Sequence, residues 1–311
     1  MNKEIVIIMG FPASGKSTTV QSFVDQGYSR VNRDTLGGSV EEMASKAEMI
    51  LVRDNKSVVL DNLYATSKSR ASLVAIAKKR NVPIRCYMME TTLEDAQLNA
   101  CLRMLKKYGS IPEDFKTVKD PNTFPPAVIY KYRKEFQQPT AKEGFDQVIK
   151  VPFVRTWGPE YKNKAVICDY DGTLRLCNDG AKFPVTPAQI KVLPNRLETL
   201  RRYHKDGYSI FGASNQSGVA KGDFTLEEAN ICFQHTNRLL GDLVTKYLFC
   251  PHRVPPITCY CRKPSVGMSA YFIEKYKLLP SKCIMVGDTG TDKSFAVRSG
   301  FQFVHADEFF K

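Results

Sequence analysis

Residues 5–17 read Ile5-Val6-Ile7-Ile8-Met9-Gly10-Phe11-Pro12-Ala13-Ser14-Gly15-Lys16-Ser17. The apolar run Ile5–Met9 is a short buried strand, the glycine-bearing segment is a turn, and the residues that follow, through Phe23, have helical character. Between a strand and a helix, the pattern G-x-x-x-x-G-K-[ST] is a phosphate cradle. Its glycines let backbone N–H groups curl around phosphate oxygens at a helix N-terminus. Gly10, Ser14, Gly15, Lys16, Ser17 and Thr18 are therefore expected to hold a nucleotide's phosphates, with Lys16 reaching the β/γ-phosphates and the Ser17 hydroxyl on Mg²⁺.

The same alternation continues outward. Val58–Leu60 and Ile84–Met88 are further buried strands, separated by a helical stretch, Ser67–Lys79, that sets Lys68, Arg70, Lys78 and Lys79 on its polar face. Short apolar strands alternating with helices imply a parallel sheet covered on both faces. The segment Lys106–Pro126, polar and proline-bearing, reads as a mobile loop or lid. The pattern weakens over Val151–Lys164, VPFVRTWGPEYKNK, where a domain boundary is expected. A second alternating series then begins at Ala165–Cys168. Its later strands are expected at Tyr208–Ala213, Tyr247–Cys250, Cys283–Val286 and Phe301–Val304, with helices at Thr186–His204, Leu226–Leu240 and Lys293–Ser299. The fold class is α/β: two doubly wound parallel-sheet domains, residues 1–155 and 156–311.

Length and composition agree with two such domains. The chain has 311 residues, 43% hydrophobic and 25% charged, which excludes a disordered chain. No apolar run reaches the ~18 residues of a transmembrane span, and the start MNKEIVIIMG does not read as a signal peptide. With nine cysteines and no secretion signal, a reducing cytoplasmic or nuclear compartment is expected rather than a disulfide scaffold. The net charge of +13 divides into +7 over residues 1–155 and +6 over the rest. Such an excess points to a polyanionic partner, nucleic acid before an anionic membrane surface.

A cradle for phosphate does not name the acceptor. Val31-Asn32-Arg33-Asp34 follows a short strand, so Asp34 is expected at a strand's carboxyl end, where it could take the proton of an attacking hydroxyl. Asp61-Asn62 ends another strand and either orders the Mg²⁺ shell or opens a turn. In the second half, Asp169-Tyr170-Asp171-Gly172-Thr173 directly follows the strand Ala165–Cys168. Two carboxylates spaced in this way can divide labour. Asp169 would attack phosphorus and form an aspartyl-phosphate, while Asp171 would protonate the leaving oxygen and later activate water. Downstream, Ser214 could bind phosphate, Lys263 could neutralise it, and Asp288 and Asp292 could join Asp169 and Asp171 around Mg²⁺. Cys250, His252, Cys259 and Cys261 offer three thiolates and one imidazole within twelve positions. That donor set is suited to a closed structural Zn²⁺ site. Cys86, Cys168, Cys232 and Cys283 each lie in an apolar segment and read as core thiols.

The stretches GFPASGKST, GYSRVNRDTLG, VVLDN, YKYRKEFQQPT and EGFDQVIKVPF make residues 4–153 resemble the kinase domain of polynucleotide 5′-hydroxyl kinase/3′-phosphatases of the animal DNA-repair type. The resemblance implies transfer of the ATP γ-phosphate to a polynucleotide 5′-hydroxyl, with Asp34 as general base. It also implies Lys16 and Ser17 as phosphate and metal ligands, and Arg103, in NACLRML, as a lid arginine. Gly37 stands where the phage type carries an arginine, and Cys101 where a further basic lid residue is expected. Residues 164–311 resemble the haloacid-dehalogenase-type phosphatases, which implies a Mg²⁺-dependent phosphomonoesterase. SNQSGVAKG and CYCRKPSVGM resemble the histidinol-phosphatase and heptose-bisphosphate-phosphatase branch, whereas GFQFVHADEFF resembles the end of the animal-type 3′-phosphatase. The leading expectation is a bifunctional enzyme acting on DNA or RNA ends to prepare them for a ligase, with no membrane partner. Two alternatives stand beside it: a small-molecule kinase fused to a histidinol- or sugar-phosphate-type phosphatase, and a nucleic-acid-binding scaffold with inactive sites.

Overall fold

The computed structural model describes residues 3–254 and 259–311. It divides into two compact units, Met1–Ala100 with Phe115–Arg155, and Cys101–Asp114 with Thr156–Lys311.

The first unit runs β1 Ile5–Met9, α1 Lys16–Val24, β2 Ser29–Asn32, α2 Arg33–Leu36, α3 Val40–Met49, β3 Val58–Asp61, α4 Ser67–Arg80, β4 Ile84–Met89, α5 Leu93–Tyr108, α6 Pro126–Glu135 and β5 Gln147–Val151. Its five strands are parallel in the order β2-β3-β1-β4-β5. Every residue of β1 and β3 is buried, as befits central strands covered on both faces. Pairing of Ile8 with Asp61, and of Asn32 with Asp61, brings the carboxyl ends of β1, β2 and β3 to one edge. Helix α4 begins at a reciprocal capping box between Thr66 and Ser69 and stops at Asn81, which takes the left-handed conformation.

Three expectations are corrected here. Lys106–Pro126 is not one continuous loop: α5 runs on to Tyr108, a 3₁₀ turn occupies Phe115–Thr117, and Pro126 opens α6. Proline at a first helical position costs no hydrogen bond, so a proline-bearing stretch can start a helix as readily as break one. Arg70 is not on the solvated face of α4. It is fully buried, forked onto Glu143 at 2.8 and 2.7 Å and donating to the Tyr64 carbonyl at 2.8 Å. Thr186–His204, finally, is not one helix. A 3₁₀ turn, Pro187–Gln189, leads into β8 (Ile190–Val192), and Pro194 precedes a helix that starts only at Arg196.

In the second unit β6 Asn163–Cys168 is followed by β7 Arg175–Cys177, which pairs antiparallel with β8. Then come α7 Arg196–Lys205, β9 Ser209–Asn215, α8 Gly218–Lys221, α9 Leu226–Leu239, β10 Val244–Cys250, α10 Gly267–Tyr276, β11 Leu278–Gly287, α11 Gly290–Ser299, β12 Gln302–His305 and α12 Ala306–Phe309. Five parallel strands, in the order β10-β9-β6-β11-β12, put β6 at the centre. Phe233 meets Tyr170 edge to face and stacks on Tyr247 and Phe249, at 4.3–5.1 Å between ring centroids, which packs α9 onto this sheet.

Candidate active sites

In the first unit the cradle sits where β1 ends. A Cβ at Gly10 would lie 2.8 Å from the Met89 Cβ and from the Ser14 Oγ, so only glycine lets the loop press against the end of β4. The loop is tied from behind. Thr91 donates to the Ser14 carbonyl at 2.8 Å, and Asn99 donates to the Ala13 carbonyl at 2.9 Å. Ala13 has φ 61°, a conformation an alanine keeps only when its surroundings hold it. Asn99 is in turn held by Arg155 at 2.6 Å, and Arg155 pairs with Asp95 at 3.0 Å. The amide end of α1 opens at this loop, the arrangement that binds anions at helix N-termini, with the Thr18 amide donating to the Gly15 carbonyl at 3.0 Å. Lys16 Nζ lies over the loop, 2.7 Å from the Phe11 carbonyl and 3.1 Å from that of Gly10. Ser17 and Thr18 are exposed on the first turn of α1.

Asp34 is exposed in the first turn of α2. Asn32 links that turn to the sheet. Its Oδ1 caps α2 by accepting from the Thr35 amide at 3.1 Å, and its Nδ2 donates to the Asp61 carboxylate at 2.9 Å and carbonyl at 3.0 Å. Arg30 forks onto the same buried Asp61 at 3.1 and 2.6 Å. Asp61 is thus an anchor, a role that neither of the two open readings gave it, and holds the end of β2 against β3. Asn62 accepts from the neighbouring Leu63 amide at 2.8 Å, a turn contact. Arg103 is half-buried on α5, in the Cys101–Asp114 stretch that groups with the second unit. Cys101 is fully buried, a core position rather than a surface one.

In the second unit the carboxylates converge just beyond β6. Lys263 Nζ is 2.8 Å from Asp169 and 2.6 Å from Asp292, and donates to the Ala213 carbonyl at 2.7 Å. Carboxylate oxygens of Asp169, Asp288 and Asp292 all lie within 4.8 Å of one another. Burial pushes the Asp169 carboxyl up to about 6 against the pull of Lys263, with Asp292 adding to the rise. Burial also raises Asp288. For Lys263 burial works against the charge, but Asp169 and Asp292 outweigh it and its pKa is raised. Gly172, at φ +88°, is obligatory: a Cβ there would stand 2.3 Å from an Asp288 oxygen. Asn215 and Lys263 exchange side-chain-to-backbone hydrogen bonds at 3.0 and 2.9 Å, which fixes the lysine's backbone to the end of β9.

Asp171 departs from the expected metal set. Its Oδ1 accepts from Arg175 Nε at 2.8 Å and its Oδ2 from Gln216 Nε2 at 2.7 Å, while Gln216 also donates to Ser214 Oγ at 3.0 Å. Its side chain therefore stands apart from the cluster of three carboxylates, held by two neighbours the sequence reading did not single out. Gln216 lies within a stretch already quoted; nothing in the local pattern marks Arg175, because its partners come from α9.

The Cys/His group is assembled as the spacing implies. Cys250 Sγ is 3.4 Å from His252 Nδ1 and 3.7 Å from Cys259 Sγ, and His252 Nδ1 is 3.2 Å from Cys261 Sγ. Tetrahedral ligands at zinc–ligand distances of ~2.0–2.3 Å stand about 3.3–3.8 Å from one another, so the group fits the ion closely. All nine cysteines are free thiols.

Fold and sites together define a P-loop kinase domain joined to a haloacid-dehalogenase-type phosphatase domain. Residues 5–139 match the family model of an AAA domain, and residues 164–310 match that of the polynucleotide kinase 3 phosphatases. The chain is 35% identical over 153 residues to a bifunctional polynucleotide phosphatase/kinase of Schizosaccharomyces pombe, covering 49% of this chain and 34% of the relative. It therefore spans about a third of that relative's length. It is 32% identical over 144 residues to a probable D-glycero-D-manno-heptose-1,7-bisphosphate 7-phosphatase of Thermoplasma volcanium, covering 45% of this chain and 96% of the relative. A solved structure, the Pnkp1/Rnl/Hen1 RNA repair complex, contains a similar chain at 19% identity and a TM-score of 0.34, covering 98% of this chain and 96% of that one. Through its second half the chain belongs to the family of the D-glycero-D-manno-heptose-1,7-bisphosphate 7-phosphatases, and it is a homologue of the bifunctional polynucleotide phosphatase/kinases. No helix among the described residues is long and apolar enough to cross a membrane.

Proposed function

We propose that the chain heals nucleic-acid ends, with residues 1–155 phosphorylating 5′-hydroxyls from ATP and residues 156–311 removing 3′-phosphates. The observation that carries this reading is the pairing of two phosphate sites of opposite sense in one chain of net charge +13, with the charge spread over both halves. In the first site the 5′-hydroxyl oxygen attacks the γ-phosphorus, Asp34 takes its proton, and the bond to the β-phosphate oxygen breaks to leave ADP. Lys16 neutralises the phosphates, and Arg103 is assigned to the transferring group. In the second, an Asp169 oxygen displaces the sugar 3′-oxygen from phosphorus, Asp171 protonates that oxygen, and Ser214 and Lys263 hold the phosphate. Asp171 then takes a proton from the water that releases inorganic phosphate from Asp169. Ser17 in the first site and Asp169, Asp288 and Asp292 in the second would hold Mg²⁺, which would supply neutralising charge to the phosphoryl oxygens.

Zn²⁺ at Cys250, His252, Cys259 and Cys261 is part of the same proposal, with a structural role. Cys261 is two residues from Lys263, so the clip sets the approach of that lysine to Asp169. One zinc per chain is expected by atomic emission. Cys261→Ser should lose most of that zinc and about tenfold or more of the phosphatase activity, in the range seen when a site's supporting shell is removed. Zinc-free protein with undiminished phosphatase activity would exclude the role.

The deciding experiment supplies oligonucleotides bearing a 5′-hydroxyl and a 3′-phosphate, as DNA and as RNA, with ATP and Mg²⁺, and reads both ends by mass. Gain of phosphate at one end and loss at the other is expected, with binding that weakens as salt rises. The products are ends a nucleic-acid ligase can join, which makes such a ligase the proposed downstream partner and an intracellular compartment the proposed site of action. A second reading, a small-molecule kinase fused to a sugar-phosphate phosphatase, is favoured by the Cys/His clip and by the full-length similarity to the Thermoplasma enzyme. Turnover of a heptose bisphosphate or histidinol phosphate far faster than of an oligonucleotide 3′-phosphate would establish that reading instead.

A further inference from the structure

Arg175 is a buried cation at the start of β7, and its side chain holds together three separate parts of the second unit. Nε donates to Asp171 Oδ1 at 2.8 Å, while Nη1 donates to Thr236 Oγ1 at 2.8 Å and to the Cys232 carbonyl at 3.0 Å, both on α9. The guanidinium carbon lies 4.7 Å from the Phe233 ring centroid and 5.2 Å from that of Tyr170. The backbone reinforces the contact: the Gly172 amide donates to the Arg175 carbonyl at 2.9 Å, and the Arg175 amide to the Tyr170 carbonyl at 3.0 Å. A planar guanidinium held on several sides has little freedom, and it passes that restriction to the one carboxylate oxygen it grips.

The other oxygen of Asp171 faces the opposite way. Oδ2 is 2.7 Å from Gln216 Nε2, which is itself 3.0 Å from the hydroxyl of Ser214, the side chain assigned to phosphate. Asp171 is thus held with Oδ1 on Arg175, which is anchored to α9, and Oδ2 on Gln216, beside Ser214.

We propose that Arg175 is a positioning residue for the acid step, holding Asp171 so that Oδ2 delivers the proton to the leaving oxygen. This rests on the phosphatase reading of the site. In the step concerned, an Asp169 oxygen forms a bond to phosphorus, the bond from phosphorus to the leaving oxygen breaks, and the proton on Asp171 Oδ2 passes to that oxygen. The demand on this alignment depends on the leaving group. An alkoxide or phenoxide needs the proton as it departs, whereas a nitrophenoxide is stable without it. A loss of alignment therefore shows as a loss that grows with leaving-group basicity, which general loosening of the fold does not produce.

The test compares p-nitrophenyl phosphate, phenyl phosphate and an oligonucleotide 3′-phosphate on wild type, Arg175→Met, Arg175→Lys, Thr236→Val and Asp171→Asn. Arg175→Met should lower kcat for phenyl phosphate and for the oligonucleotide by about tenfold to a hundredfold, and for p-nitrophenyl phosphate by less than about threefold. Thr236→Val keeps the shape of its side chain, removes one anchor of the guanidinium and leaves Arg175 in place. It should show the same pattern more weakly, and it carries the test if Arg175→Met does not fold. Arg175→Lys should recover part of the loss. In an Asp171→Asn background, Arg175→Met should add little further loss for phenyl phosphate. Equal losses on all three substrates, or no loss on any, would overturn the proposal. A wild type inert towards all three substrates would refute the phosphatase reading and the proposal with it. Aryl turnover with an untouched oligonucleotide would refute only the polynucleotide substrate, because the two aryl esters still read the acid step.

Discussion

Asp169→Asn should lower 3′-phosphate hydrolysis by more than ~10⁴-fold, the scale on which loss of a covalent nucleophile is felt. Asparagine keeps the size of the side chain but has no anionic oxygen to displace the leaving group. It also leaves Lys263 paired with Asp292 at 2.6 Å, so the lysine is not stranded as an uncompensated buried charge. Alanine in its place would mix the chemical loss with an opened cavity beside that ion pair. Phosphorylation of 5′-hydroxyl ends by the same variant should stay within about twofold of wild type, since the phosphate cradle and Asp169 are built on different sheets. The measurement is a double end-labelled oligonucleotide assayed at both termini. Retained 3′-phosphatase activity would remove Asp169 from the nucleophile's role, and loss of both activities in a folded protein would end the two-site assignment.

Asp34→Ala should give the reverse pattern, a loss of about 10²–10⁴-fold in 5′-phosphorylation, the contribution of a well-placed general base, with phosphatase activity unchanged. Asp34 is exposed, so the substitution costs little stability and the loss reads as chemistry. Asn32 is the control for placement. Without its cap on α2 and its contacts to Asp61, the turn that carries Asp34 loses its tie to β3, and Asn32→Ala should weaken the kinase even with the base intact. A kinase indifferent to Asp34→Ala would mean that the proton of the acceptor hydroxyl goes elsewhere.

Most of the candidate set was legible because it is local. Phosphate cradles and aspartate nucleophiles need a strand, a sharp turn and specific side chains within a few residues, so Gly10–Ser17 and Asp169–Thr173 carry their own context. The Cys/His group was legible for the same reason, as two short pairs with ligand spacing. Where the reading went astray, a distant partner had the final say. Arg70 looked like a solvated helix arginine until Glu143 met it in the interior. Thr186–His204 had apolar residues at roughly helical spacing, yet Ile190–Val192 became a strand because β7 was there to pair with it.

The sequence by itself determined the two α/β halves, the order of their strands along the chain, and the groups proposed for phosphate and metal, all consequences of periodicity and of chemistry confined to a turn. Only the tertiary structure decided which neighbours hold those groups in place: Asn32 and Asp61 behind the kinase base, Asn99 and Arg155 behind the cradle, Arg175 and Gln216 around Asp171. The reason is physical. A hydrogen bond between residues 61 positions apart, such as that from Arg175 to Thr236, depends on how strands and helices pack. No short-range pattern in the chain encodes that packing.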